Sequence, residues 1–221
     1  MKPRASPSKR GVFHLRPKPD PRTTETGHQH APVEVCLLAF NKPCGVICQF
    51  TAEGKRPTLA DFIRIPDVYP AGRLDTDSEG LLLLTNHGPL QNWISNPVHK
   101  LPKTYWAQVE GDVDDAAIAR LSAPVDLGDF VTVPGRARRI AEPPDLWPRT
   151  PPIRQRSAIP TSWIEITLSE GKNRQVRRMT AKVDFPTLRL VRASIGPIGL
   201  GGLHPGQWRA VALSEIGYWS R

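Results

Sequence analysis

Short strand-like and helix-like segments follow one another along this chain without a regular β–α repeat. Apolar runs and apolar–polar alternation, both typical of strands, occur at residues 35–40, 80–85, 104–110, 163–168 and 188–193. Helical patterns occur at residues 89–94, 112–121 and 173–183. This order predicts an α+β fold with a mixed, mostly antiparallel central sheet flanked by helices.

Basic residues are concentrated in two segments of the 221-residue chain. Of the net charge of +9, residues 1–33 carry +5 and residues 171–192 carry +6, which leaves −2 for the remainder. Six of the 24 prolines also lie in residues 1–33. With few apolar residues and no periodicity, this segment is predicted to be a disordered basic tail. It could add RNA affinity by neutralising phosphates, or it could only increase solubility; both interpretations stay open.

Composition excludes several classes of protein. No apolar run approaches the roughly 18 residues that a membrane helix needs, and no signal-peptide core follows Met1. Three cysteines are too few for a disulfide scaffold, and no second Cys or His pair accompanies Cys44 and Cys48 to form a zinc site. We therefore expect a cytoplasmic protein without a membrane span.

A basic helix is predicted at residues 173–183, with Asn173 as its N-cap. One face is apolar and comprises Val176, Met179 and Val183. The opposite face carries three arginines, Arg174, Arg177 and Arg178. Like charges within one helical turn repel, and an anionic partner would relieve the repulsion. Phosphates and a buried carboxylate are both candidates, and a solvated helix face is the third interpretation.

A carboxylate-rich turn precedes the apolar run at Leu81. Asp75, Asp77 and Glu79 lie within five residues, between Gly72 and Gly80. Asp-x-Asp can bind a divalent cation, one carboxylate can act as base or nucleophile, and Asp, Ser and Gly are also ordinary turn residues. The residues alone leave these three interpretations open.

Four motifs occur in a fixed order at residues 41–45 (NKPCG), 72–88, 103–105 (KTY) and 170–179 (EGKNRQVRRM). Together they resemble the opening turn, the active-site motif, and the second and third motifs of the pseudouridine synthases that act on ribosomal RNA, with the RsuA-like branch fitting best. The segment 147–163 is similar to that of members acting on large-subunit RNA. Many relatives carry an N-terminal S4 RNA-binding module; residues 1–33 are too short and proline-rich for one, so we expect no S4 domain.

The resemblance implies a pseudouridine synthase fold over residues 34–221, with an active-site cleft between two subdomains. It implies the isomerisation of a uridine in 23S ribosomal RNA, and no cofactor or metal because no redox change occurs. Nothing suggests a dimer, so we expect a monomer. A non-catalytic RNA-binding factor of ribosome assembly and a metal-dependent glycosyltransferase using Asp75 and Asp77 are the alternatives.

The resemblance also implies roles for individual residues. Asp75 corresponds to the catalytic carboxylate, Arg177 to its basic partner, and Tyr105 to the tyrosine that stacks on the target base. The residues implied to bind substrate are Arg73, Lys103, Arg174, Arg178 and Leu190. Asp77 and Glu79 receive no catalytic role and are interpreted as part of the turn.

Overall fold

Nine strands form one sheet in the computed structural model, which describes residues 34–153 and 158–218. In chain order the strands are β1 (Leu37–Lys42), β2 (Tyr69–Pro70), β3 (Glu79–Thr85), β4 (Lys103–Glu110), β5 (Arg136–Ile140), β6 (Thr161–Leu168), β7 (Thr187–Ile195), β8 (Ile198–Gly199) and β9 (Trp208–Ala210). The helices are α1 (Gly88–Ser95), α2 (Asp115–Ser122), α3 (Gln175–Lys182) and α4 (Leu213–Ile216). The predicted tail at residues 1–33 lies outside the described residues.

The order across the sheet is β5-β6-β4-β7-β3-β1-β9, with β2 paired to β3 and β8 to β7. Every pairing between these nine strands is antiparallel except that of β3 with β7, where Glu79 pairs with Val191 and Gly80 with Arg192. The expected mixed, mostly antiparallel sheet is therefore confirmed. The parallel pair joins one half of the sheet, β5-β6-β4-β7, to the other, β3-β1-β9.

Apolar side chains pack on both halves of this sheet. One core lies between β4, β6 and helices α2 and α3, and includes Val109, Leu121 and Ile164. In the other half, β1 and β3 are buried along their whole length. One face of these two strands packs on α1 and α4, and their other face packs on the segment 46–68. Two-sided burial explains why 80–85 reads as a continuous apolar run rather than an alternation.

Gly80 permits the close approach of β3 and β7. Its φ is +99°, and a Cβ there would collide with the backbone of Arg192. Glycine adopts such a positive φ without steric cost. The sheet can therefore close at this point, directly after the carboxylate-rich turn.

Two helix starts differ from the sequence-based expectation. Arg174, not Asn173, precedes α3, and it adopts a left-handed backbone (φ 50°) without a side-chain cap. Asp114 caps α2 by accepting a hydrogen bond from the Ala117 N–H at 2.7 Å, so this helix begins later than the pattern at Asp112 suggests. The apolar face of α3 is as predicted, since Val176 and Met179 are buried.

Candidate active site

A cleft of about 870 Å³ opens where the two halves of the sheet meet. Its walls are the turns 44–49, 71–78 and 170–176, together with side chains of β4 and β7. Six of the site residues predicted from the sequence line this cleft: Arg73, Asp75, Lys103, Tyr105, Arg174 and Leu190. Arg177 and Arg178 do not line it.

Backbone hydrogen bonds hold the turn that carries Asp75. The Ser78 N–H donates to the Asp75 carbonyl at 3.1 Å, and the Gly45 N–H donates to the Thr76 carbonyl at 2.7 Å. Gly72 begins the turn with a φ of +83°, which favours glycine. The motif at 41–45 therefore supports the turn at 72–78 directly. The Asp75 side chain is 33% exposed, so a ligand in the cleft can reach its carboxylate.

Two arginines neutralise the aspartates of this turn. Arg174 donates two hydrogen bonds to the Asp77 carboxylate, both at 3.0 Å, and its Nη1 lies 3.4 Å from Asp75 Oδ2. Arg177 Nη2 lies 3.3 Å from Asp77 Oδ2 and donates to the Asp77 carbonyl at 3.0 Å. Asp77 therefore forms ion pairs with both arginines, whereas Asp75 forms one with Arg174 alone.

This pairing differs from the expected ion pair of Asp75 with Arg177. Arg174 lies before the helix in a left-handed conformation, and its side chain reaches across to both aspartates. Arg177 lies within α3, and its side chain is only 12% exposed beneath the turn. Burial lowers the pKa of Arg177 against the opposing charges of Asp77 and Asp75. Arg177 thus attracts Asp75 electrostatically from a distance and contacts its neighbour Asp77, but it forms no ion-pair contact with Asp75 itself.

The pKa of Asp77 reflects this environment. Burial alone would raise the pKa, but the hydrogen bonds from Arg174 and the charges of Arg177 and Arg174 outweigh burial and lower it. Asp77 is therefore ionised at neutral pH. The interpretation of Asp77 as plain turn structure misses this function of holding the two arginines.

Tyr105 and Leu190 form one wall of the cleft. Tyr105 on β4 pairs with Arg192 on β7, and Leu190 lies two residues before Arg192, so all three share one face of the sheet. Tyr105 is 9% and Leu190 5% exposed. An aromatic ring beside an aliphatic side chain suits a planar ligand, because both offer apolar contact area.

Lys103 and Arg192 place positive charge beside this wall. Burial, with a smaller contribution from Arg192, lowers the pKa of Lys103 to about 8. The Lys103 ammonium donates to the Leu101 carbonyl at 3.1 Å, and Arg192 Nε donates to the Leu81 carbonyl at 2.7 Å. Sequence reasoning missed Arg192. The period of two in the strand at 188–193 places it on the face of Leu190 and could have found it.

A buried polar pair positions the third turn of the cleft. One carboxylate oxygen of Glu170 accepts hydrogen bonds from the Val133 N–H, at 2.9 Å, and from the Gln175 side-chain amide. The Gln175 side-chain oxygen accepts from the Lys172 N–H at 3.0 Å. These bonds fix residues 170–175 and so set the place from which Arg174 reaches the aspartates. Neither residue type nor helical periodicity predicts that Gln175 is buried.

Arg178 points away from the cleft. It forms an ion pair with Asp129, donates to the Leu127 carbonyl at 2.8 Å and lies 5.2 Å from the centre of the Phe130 ring. Its predicted contact with RNA would therefore lie outside the cleft, and stays a prediction.

The Asp-x-Asp pair lacks the surroundings of a metal site. Arg174 and Arg177 occupy the carboxylate oxygens of Asp77. Within residues 34–153 and 158–218, no group of three or more His, Cys, Asp or Glu could hold a metal ion. The same residues contain no helix long and apolar enough to cross a membrane.

Comparison with known proteins gives consistent similarities. The profile of the RNA pseudouridylate synthase family matches residues 36–182. The ribosomal large subunit pseudouridine synthase E of Xanthomonas campestris is 54% identical over 175 residues, which cover 78% of this chain and 94% of that protein. The protein of the same name from Vibrio parahaemolyticus is 51% identical over 80% of this chain and 74% of its own length. A crystal structure of a pseudouridylate synthase superposes with a TM-score of 0.69 at 28% identity, over 83% of this chain and 73% of that one.

Proposed function

This chain belongs to the RNA pseudouridylate synthase family, and from that premise we propose that its cleft converts a specific uridine of 23S ribosomal RNA to pseudouridine. The family assignment confirms the resemblance found in the motifs, the fold class and the enzyme class, which is an isomerase. The ribosomal substrate is inferred from the large-subunit enzymes that are 51–54% identical to this chain. We further propose that the protein acts on this RNA in the cytoplasm and as a monomer.

One observation carries the proposal: Asp75 lines the same cleft as the Tyr105–Leu190 wall, with the Arg174 guanidinium 3.4 Å from its carboxylate. The attraction between this guanidinium and the carboxylate orients the Asp75 side chain. A carboxylate held in position can attack a sugar carbon or remove a sugar proton.

The proposed reaction conserves all atoms. The bond from N1 of uracil to C1′ of the ribose breaks, either as Asp75 attacks C1′ or as Asp75 removes a ribose proton to give a glycal. The uracil turns on the Tyr105 face, and C5 forms the new bond to C1′. On the first route the bond between Asp75 and C1′ breaks in this step, and on the glycal route Asp75 returns the proton to the ribose. C5 then loses its proton through Tyr105 or water, while N1 ends protonated. No electrons are gained or lost, so the chain's own residues suffice.

The target uridine must leave its RNA helix to reach Asp75. Flipping a base costs roughly a few kcal/mol, which contacts with the rest of the RNA must offset. Arg73 is exposed at the rim of the cleft, adjacent to the turn that carries Asp75. We assign it to the space that the flipped nucleotide leaves. Arg174, which is 46% exposed, adds positive charge that favours a phosphodiester chain at this rim, and Lys103 is proposed to contact the substrate deeper in the cleft.

The experiment is the direct mapping of pseudouridine. A 23S ribosomal RNA transcript is incubated with the protein, treated with carbodiimide and read by primer extension. We expect one new stop that depends on the protein. RNA binding without any new stop would refute the enzymatic proposal and favour the non-catalytic assembly factor.

A further inference from the structure

Glu79 is a buried carboxylate that the proposed chemistry does not use. It begins β3, four residues after Asp75, and its side chain is 1% exposed. Arg189 on β7 donates to both of its oxygens, each at 3.0 Å. The Trp147 indole N–H donates to the same carboxylate at 2.8 Å. Glu79 thus joins two strands of the sheet to a segment far along the chain, and it is not the turn residue that the sequence suggested.

Trp147 is fixed at a second point. Its backbone carbonyl accepts a hydrogen bond from Arg189 at 2.9 Å, and the Arg189 guanidinium lies 5.8 Å from the centre of its ring. The indole N–H and the backbone of this residue are therefore both tied to the Glu79–Arg189 pair. Buried polar groups satisfied in this way hold a segment in one position.

Arg149 follows in the same segment and is only partly neutralised. Its Nε lies 3.5 Å from a Glu79 oxygen, and this buried Nε has no hydrogen-bond partner in the described part of the chain. Its Nη1 donates to the carbonyl of Pro151, a residue that lines the cleft. The single carboxylate of Glu79 lies near the guanidiniums of both Arg149 and Arg189, and Arg189 donates hydrogen bonds to both of its oxygens. A surplus positive charge therefore borders the cleft.

The position of Arg149 relative to the candidate active site supports a contact with substrate. After burial and the charge of Arg174, the charge of Arg149 also contributes to the lowered pKa of Arg177. Arg149 is thus close enough to the paired aspartates to act on their partner electrostatically. Its side chain is 15% exposed, so most of it is held by the surrounding protein while part of it is open to a ligand.

We propose that Glu79, Arg189 and Trp147 anchor residues 147–151 in a fixed position beside the cleft, and that Arg149 in this segment binds a phosphodiester of the substrate RNA. This inference rests on the proposed function for the identity of the ligand. Glu79 is a positioning residue, because it reaches the RNA only through Arg149. Arg149 is a binding residue.

The first measurement tests the RNA contact. Binding of the 23S transcript is measured by filter retention over a range of salt for wild type, Arg149→Gln and the control Arg138→Gln. Arg138 is an exposed arginine paired with Glu165 away from the cleft. Loss of one phosphate contact lowers the salt slope by about one. We expect this decrease in Arg149→Gln and not in Arg138→Gln. A slope equal to those of wild type and the control would overturn the proposed contact.

The second measurement tests the anchor without RNA. Trypsin cleavage after Arg149 is followed by mass spectrometry in wild type, Glu79→Gln, Trp147→Phe and the control Glu165→Gln. We expect faster cleavage than in wild type for Glu79→Gln and Trp147→Phe, and no change for Glu165→Gln. Trp147→Phe keeps an aromatic ring and the Glu79–Arg189 pair, so it remains informative if Glu79→Gln fails to fold. Equal cleavage of Trp147→Phe and wild type would refute the anchor. Both measurements remain valid if the wild type forms no pseudouridine, so the two proposals can fail separately.

Discussion

Asp77→Asn removes the negative charge that two arginines share beside the cleft. The substitution preserves the shape of the side chain and leaves Asp75 unchanged. Arg177 loses its nearest counter-charge while 88% of its side chain stays buried. Arg174 keeps only its contact with Asp75, 3.4 Å away. The loss at Arg177 destabilises the folded state most, because a buried charge without an ion-pair partner is costly, whereas Arg174 is 46% exposed.

The contacts of Asp77 set the size of this effect. It accepts two hydrogen bonds at 3.0 Å from Arg174, and Arg177 lies 3.3 Å away. Hydrogen bonds to charged groups contribute about 1.5–3 kcal/mol when buried, and exposed ion pairs about 0.2–1 kcal/mol. Asp77 is 42% exposed, so solvent screens part of the interaction. We expect Asp77→Asn to lower the free energy of unfolding by about 1–2 kcal/mol.

The effect depends on pH in a defined direction. The pKa of Asp77 is lowered in the folded protein, so the folded state holds the ionised carboxylate more strongly than the unfolded chain does. Its stabilising contribution is complete above the unfolded pKa of about 4 and is lost as pH falls through the folded pKa. The difference between wild type and Asp77→Asn should therefore be constant from about pH 7 to pH 5 and shrink below about pH 4.

Urea unfolding at several pH values measures both the loss of unfolding free energy in Asp77→Asn and its dependence on pH. Asp129→Asn is the matched control, because Asp129 also forms an ion pair with an arginine of α3 but its side chain is 64% exposed. We expect a smaller loss for the control. A loss for Asp77→Asn no larger than that for Asp129→Asn, or one that persists unchanged to pH 3, would refute the proposed role of the shared carboxylate.

Three further outcomes are expected. Gly80→Ala should cost about 3 kcal/mol in urea unfolding, since it combines a strained positive φ with a collision against β7, whereas Gly88→Ala, with open space around its Cβ, should cost nothing. Because the pKa of Lys103 is about 8 in the folded protein, the unfolded chain binds more protons between about pH 8 and 10.5 and the free energy of unfolding rises across that window; Lys103→Met should remove part of this rise, and an identical rise would contradict it. Deletion of residues 1–33, which carry +5, should weaken RNA binding and reduce its salt slope; an unchanged slope would leave the tail with a solubility role only.

The strands were predictable where burial produces a regular pattern. The alternation at 104–110 and the apolar run at 80–85 correspond to β4 and β3. By contrast, β5 (Arg136–Ile140) has the sequence RARRI and lies at the edge of the sheet, where no apolar face is required, so no pattern marks it. Backbone pairing with β6 forms this strand, and such pairing leaves little trace in the composition of one segment.

The membership of the cleft was predictable, but the pairing of its charges was not. Motif order brings Asp75, Tyr105 and Leu190 to one cleft because the sheet places β4 and β7 side by side. Which arginine reaches which aspartate depends on the left-handed conformation of Arg174, which neither helical periodicity nor residue type predicts. Glu79 likewise acquires its partners from residues about 70 and 110 positions away, through tertiary packing alone.

The proposed catalytic role of Asp75 is tested most directly by following the hydrogen that C5 of the target uridine must lose. A 23S transcript labelled with tritium at C5 of uridine is incubated with wild type, Asp75→Asn or Asp77→Asn, and released tritium is counted alongside filter binding of the same RNA. We expect release by wild type, reduced or unchanged release by Asp77→Asn, and none by Asp75→Asn, which should still bind the RNA. Release by Asp75→Asn near the wild-type rate would contradict the assignment of Asp75 as the catalytic carboxylate.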